Sequence, residues 1–307
     1  MRVSGASGGL FVSGQVRVRV PATSANLGPG FDALGLALGL HDDVTAEIAR
    51  DGLSVDVVGE GADLLVRDES HLVVRAMRRT FVALGTEPPG LALACHNRIP
   101  HSRGLGSSAA AIVAGVLLAR ALVHDGVAQL PAADVLELAC ELEGHPDNVA
   151  PCLLGGLTIA WTQGGARAVR RDLDPAIVPT VLIPPFTAST ELARGLLPAT
   201  VPHADAAFAA GRAALLVAAL TGTPQALFDA TEDRLHQTYR APAMPASVGL
   251  VAELRAAGHP AVISGAGPTV LVLARGQVEA DEVVTKAPTG WTASILPVDD
   301  SGAVAVG

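Results

Sequence analysis

Strict alternation opens the readable part of the chain. In "QVRVRV" (15–20), Val16, Val18 and Val20 fall on one face, which predicts a half-buried strand. "SVDVVG" (54–59) predicts another strand, and "HLVVRAMRRTFVALG" (71–85) a helix ending at Gly85. "GLALACHNRIP" (90–100) begins as an apolar strand and turns polar. From Ser107 to about His124 there is one glycine, Gly115, and no proline, so a helix is predicted. A further helix runs from about Ala133 to Glu143 and stops at Gly144, a residue suited to the left-handed end position. "GGLTIAWT" (155–162) and "VPTVLIPP" (178–185) predict strands.

The second half is also mixed. "STELARGLL" (189–197) predicts a helix capped by its serine, and 205–220, 224–239 and 246–257 predict further helices. "AVISGAGPTVLVLA" (261–274) predicts strand, glycine turn, strand, and "TASILPV" (292–298) a last strand. The best domain boundary lies around "TQGGARAVRRD" (162–172). The order of elements is not the strict alternation of a doubly wound parallel sheet, so the class is α+β with two layered domains. No long-period repeat is present.

Composition narrows the function classes. The chain has 307 residues, of which 50% are hydrophobic and 17% charged, so it has ample material for a core. A net charge of −9 argues against nonspecific binding to nucleic acid or to an anionic membrane. Aromatics, at 3%, are too few for base-stacking platforms. The basic residues are twenty arginines and one lysine, Lys286, so an anion site must use arginine, backbone N–H groups or metal. Cys95, Cys140 and Cys152 form no framework and read as reduced thiols of a cytoplasmic protein. Cys140, His145 and Cys152 match no compact zinc spacing. The Gly/Ser-rich start (1–14) reads as a disordered leader without a signal-length apolar stretch, and no segment reads as a membrane span.

Chemistry concentrates in "PHSRGLGSSAAA" (100–111). Gly104 and Gly106 let backbone N–H groups approach an anion, and Ser107 and Ser108 stand where a helix begins. A serine hydroxyl there can meet Mg²⁺ or a phosphate oxygen. A Walker A loop is rejected because Ser107 follows Gly106 with no lysine between. Gly104, Gly106 and Ala109 fit a dinucleotide fingerprint, but "CHNRIPHSR" before them is too polar for a buried first strand.

Two further segments, "PATSANLGPGFDALGLAL" (21–38) and "ISGAGPTVLVLA" (263–274), accompany this loop. Together the three resemble the motifs of the small-molecule kinases named after galactokinase, homoserine kinase, mevalonate kinase and phosphomevalonate kinase. The likeness runs from about Val16 to about Ala274. "EGHPDNVAP", "STELARGLLP" and "RAP" are most similar to the branch acting on L-homoserine. The resemblance implies a ribosomal-protein-S5-like N-terminal domain and a ferredoxin-like C-terminal domain. On this chain they become an ATP-binding domain over 15–165 and a C-terminal domain over 166–307, with the substrate site at their interface.

The resemblance also implies roles, residue by residue. ATP would be wrapped by Pro100, His101, Ser102, Arg103, Gly104, Leu105, Gly106, Ser107, Ser108, Ala109 and Ala110, with Ser264, Gly265, Ala266 and Gly267 as a second turn near the phosphates. Mg²⁺ would sit on Ser108 and Glu143, with Glu141 as the competing carboxylate. Adenine would lie near His71, where the family commonly has asparagine. Arginine suits a carboxylate, which selects Arg194 and Arg240 for that of homoserine, and Asp32 matches its ammonium. Asn26, His145 and Thr190 would contact the substrate, Asp147 stands at the position of the catalytic aspartate of some relatives, and Asn26, Asp32 and Thr190 complete that catalytic set. Nucleic acid and membrane are not expected as partners, and the assembly is left between monomer and homodimer.

Overall fold

The computed structural model describes residues 9–306. The alternating valines do form a strand, β1 (Val16–Ala25), with Val18 and Val20 buried and Arg17 and Arg19 outside. It runs on past the predicted end, because a register shift between Pro21 and Ala22 accommodates the proline. Beyond the shift every residue to Ala25 is buried.

β2 (Leu34–Ala49) is the longest strand and was not predicted. Glycines and "HDD" break its alternation, and its stability comes from neighbours instead: β1 along one edge, β4 (Gly90–Asn97) and β5 (Leu157–Trp161) along the other. β3 (Gly52–Gly59) pairs parallel with β4, and β6 (Arg167–Arg171) pairs with β5. A core helix, α2 (Ser107–Leu122), packs on β1 and on α1 (Leu72–Ala83), while α3 (Gly126–Gln129), α4 (Ala132–Glu143) and α5 (Pro146–Leu154) complete that layer.

The second sheet begins with β7 (Ile177–Ile183), followed by α6 (Thr190–Gly195) and α7 (His203–Gly222). Then come α8 (Leu227–Ala230), α9 (Gln237–Arg240), α10 (Pro245–Ala256), β8 (Ala261–Ile263), β9 (Val270–Arg275), α11 (Gln277–Thr285) and β10 (Thr292–Ile295). Its order, β10-β7-β9-β8, is all antiparallel, the ferredoxin-like arrangement.

Four expectations need correction. The division at 165/166 falls inside the β5–β6 pair, and the last strand, β11 (Val304–Val306), returns to β1, so both ends of the expected C-terminal domain belong to the larger sheet. Of the expected leader, residues 1–8 lie outside the described residues. The described part is attached at Phe11 and Val12: Val12 N–H donates to the Leu122 carbonyl at 2.9 Å, and Phe11 meets Phe81 edge-on. By length and composition α7 does meet the measure of a membrane-spanning helix, but Ala209, Leu216, Ala219 and Leu220 pack it into the fold. Finally, 224–239 is not one helix. The Asp233 carboxylate accepts from the N–H groups of Leu235, His236 and Gln237, a local alternative to helical bonding that interrupts it.

Candidate active site

The N-terminus of α2 opens into a cavity of about 310 Å³ between the two sheets. Gly106 caps the helix with φ 72°, and the first intrahelical bond is Ala110 N–H to its carbonyl. The N–H groups of Ser107, Ser108 and Ala109 therefore have no acceptor within the helix. A Cβ on Gly106 would strike the Thr23 hydroxyl, and one on Gly104 would strike the carbonyls of Ser264 and Gly267. The two glycine turns are thus pressed together, and the Ser264 hydroxyl donates to the Gly104 carbonyl at 2.6 Å.

Oxygen donors face this helix end. The Ser108 hydroxyl donates to the Glu143 carboxylate at 2.7 Å. Burial raises the Glu143 pKa above the ordinary range, with the Ser108 hydrogen bond acting against that rise. Glu141, the competing candidate, is exposed on the other side of α4 beside Arg79 at 3.6 Å. A hydroxyl and a carboxylate at a phosphate-sized opening are a hard donor pair of the kind Mg²⁺ accepts, since it keeps several waters and takes one or two carboxylates.

Gly144, with φ 89°, ends α4 and turns the chain so that His145 enters the same cavity. His145 Nδ1 lies 2.6 Å from the Asp147 carboxylate, and Nε2 lies 3.9 Å from Glu143. Burial works against the imidazolium, yet the Asp147 hydrogen bond and the charges of Asp147 and Glu143 outweigh it and raise the His145 pKa. Asp147 itself is 2% exposed and engaged by His145.

The opposite wall carries the charged side chains. The β1–β2 loop holds Asn26, Leu27 and Asp32 at positive φ (66°, 52° and 54°), sparsely populated for residues with a side chain. The Asn26 amide fixes it, donating to the Gly265 carbonyl and accepting from the Asp32 N–H, both at 2.9 Å. Asp32 holds Arg194 of α6 through two contacts, 2.8 and 3.2 Å. Ser189 caps α6 by accepting from Leu192 N–H, which sets Thr190 at the cavity rim.

Arg240 is the largest fully buried side chain, 2% exposed. Its Nη1 reaches His236 Nδ1 at 3.3 Å and the Gly265 carbonyl at 3.4 Å, and the guanidinium lies 5.2 Å from the Phe31 ring centre. Its Nε is buried and has no partner among the described residues. The unpaired edge of this planar group is therefore Nε/Nη2, the fork that a carboxylate takes through two parallel hydrogen bonds.

Asn26, His145, Asp147, Thr190, Arg194, Arg240, Ser108 and Glu143 thus line one cavity, with Ser102, Gly104, Gly106, Ser107, Gly265 and Ala266. Asp32 touches it through Arg194 and Asn26. His101 and Ala110 line an adjoining cavity of about 280 Å³, mostly apolar, which also contains His71 and shares Ser102, Ser107 and Ser108. Pro100, Arg103, Leu105, Ala109, Ser264 and Gly267 line neither. Leu105, Ala109 and Ser264 are fully buried supports, and Arg103 turns away to hold the carbonyls of Pro184 and Pro185 at 3.1 Å. Asn148, Thr23 and His236 were missed by sequence reasoning. Asn148 bonds Thr23 at 2.8 Å beneath Gly106, and only "HPDN" as a unit could have pointed to it. Cys140 and Cys152 are buried free thiols, and no group of three metal-ligating side chains exists among the described residues.

This combination of fold and site defines a class. The GHMP kinase N-terminal domain model matches residues 71–156 and the GHMP kinase C-terminal model residues 206–292, and the chain belongs to the GHMP kinase family. Within that family it is 59% identical to the homoserine kinases of Streptomyces avermitilis (97% of each chain) and Streptomyces coelicolor (97% of this chain, 96% of the relative). The crystal structure of homoserine kinase from Cytophaga hutchinsonii superposes with a TM-score of 0.82 at 25% identity, covering 99% of this chain and 100% of that one.

Proposed function

We propose that this enzyme transfers the γ-phosphoryl group of ATP to the side-chain hydroxyl of L-homoserine, forming O-phospho-L-homoserine for threonine synthesis. The observation that carries this reading is that buried Arg240, whose Nε has no partner among the described residues, lines the same cavity as the open N–H groups of α2. One feature suits a carboxylate and the other a polyphosphate.

In this reading the substrate carboxylate takes Arg240 and Arg194, and its ammonium takes Asp32 with support from Asn26. Because Asp32 and Arg194 already pair, a zwitterion replaces both halves of an existing ion pair. Thr190 contacts the amino acid at the rim. The phosphates lie against Gly104, Gly106, Ser107 and Ser108, with Gly265 and Ala266 closing the other side, and the adenine enters the apolar cavity beside His71. Ser108 and Glu143 would hold Mg²⁺, which when bound neutralises phosphate charge.

His145, whose imidazolium form the Asp147 carboxylate favours, faces the transferring group. Asp147 engages His145 through one carboxylate oxygen and also lines the cavity itself, in a supporting role. A loose transition state makes little demand on a base, so positioning by Asn26, Thr190 and His145 is the main work of the chain. Three buried free thiols suit a reducing compartment, and the enzyme is assigned to the cytoplasm. The test is ADP release measured in parallel with homoserine, mevalonate, galactose and shikimate. A preference for any of the last three would overturn the substrate assignment.

A further inference from the structure

We infer that His236, outside the cavity and not itself touching substrate, is the positioning residue that aims Arg240 at the substrate carboxylate. The inference rests on the reading of Arg240 given above. His236 is 0% exposed and is delivered by the turn that Asp233 enforces before α9. Its Nε2 lies 2.8 Å from the Gly28 carbonyl, which can only accept, so Nε2 carries the proton. Nδ1 is then the bare nitrogen, and it accepts from Arg240 Nη1 at 3.3 Å. The ring is held flat against Phe31, centres 5.1 Å apart, and Phe31 also lies against the guanidinium.

The consequence is geometric. Nη1 is tied to two uncharged acceptors, His236 Nδ1 and the Gly265 carbonyl, and among the described residues no carboxylate is bonded to this arginine. Rotation about the last bonds of the side chain would break both contacts. Held this way, Arg240 keeps its Nε/Nη2 edge free, whereas Arg194 rests on Asp32. Gly28 and Phe31 belong to the same loop as Asn26 and Asp32, so His236 also joins the loop to the arginine and fixes their separation.

The test compares His236→Leu, His236→Gln and Arg240→Leu with homoserine and with 3-aminopropan-1-ol, which lacks the carboxylate. His236→Leu should raise the KM for homoserine by roughly tenfold, the loss of one hydrogen bond to a charged group, with kcat and ATP affinity nearly unchanged. His236→Gln retains an amide donor and an acceptor and should restore most of that loss. The analogue should be indifferent to all three changes. If Arg240→Leu raises the homoserine KM but a folded His236→Leu does not, the positioning role is overturned and the carboxylate site stands. If His236→Leu weakens homoserine and the analogue equally, or Gln gives no rescue, the histidine is only structural. If Arg240→Leu leaves the homoserine KM unchanged, the carboxylate reading itself fails.

Discussion

The two walls of the central cavity are made of different material. The wall proposed for phosphate is backbone: glycines at 104 and 106, a helix start, one hydroxyl and one carboxylate. The wall proposed for the amino acid is charged side chains drawn from positions 32, 194 and 240, each held by a different neighbour. Backbone donors are fixed once the turn is formed, and they tolerate no side chain at the contact. Side-chain charges have to be aimed, and the aim costs extra residues, such as Asn26 for the loop and His236 for Arg240. Damage to the first wall should therefore be nearly all-or-none, and damage to the second graded.

Gly106→Val tests that contrast at its extreme. A branched side chain at φ 72° that also meets Thr23 should lower ATP affinity beyond about 10³-fold, or ~4 kcal/mol. Calorimetry on a variant that still melts cooperatively checks it, with Gly106→Ala as the milder version. Unchanged ATP affinity in either folded variant would remove this turn from the nucleotide site.

Glu143→Gln keeps the size and removes the charge. Turnover should fall about 10²-fold and its dependence on Mg²⁺ should weaken, because the proposed metal donor is lost. Glu141→Gln should behave like the parent, since Glu141 points to solvent beside Arg79. The reverse result would move the metal to the other carboxylate.

On the charged wall, Arg240→Leu should raise the homoserine KM by about ten- to over a hundredfold, equivalent to ~1.5–3 kcal/mol, with little change in ATP affinity. Arg194→Leu should cost less, because that guanidinium has to share its carboxylate partner Asp32 with the substrate ammonium. The double variant should be non-additive, as both act on one group. Equal and additive losses would mean that the two arginines do not meet on one carboxylate.

The smallest effect concerns His145 and stability. Its pKa is raised in the folded protein, so its stabilising contribution is complete below the unfolded value of about 6.5 and is lost as pH rises through the folded value. His145→Gln should accordingly lower Tm by a few degrees at about pH 6 and by less at about pH 9. A loss of Tm independent of pH would show that the imidazolium pair with Asp147 does not stabilise the fold.

The residues themselves explain which parts could be read in advance. "GLGSS" announces its geometry, because glycine at positive φ and a helix start are local properties. The same locality revealed α2, α4 with its Gly144 end and the serine cap of α6. β2 was hidden because its glycines and "HDD" disrupt the alternation, and only pairing along both edges makes it a strand. β11 was hidden because three residues carry no pattern of their own until they meet β1.

The amino-acid sequence alone determined the glycine turn at a helix start and the α+β class, while the candidate arginines and carboxylates were named by the resemblance to the kinase motifs. Those features depend on backbone freedom, residue chemistry and short-range periodicity, all present within a few neighbouring positions. The tertiary structure decided that Glu143 and not Glu141 faces Ser108, that Asp147 pairs with His145, and that Arg194 lies on Asp32. It alone brought His236 to Gly28, 208 positions away, and left the buried Nε of Arg240 without a partner among the described residues. The physical reason is that the direction of a buried charge is set by whichever groups packing places around it, and those groups are remote in the chain.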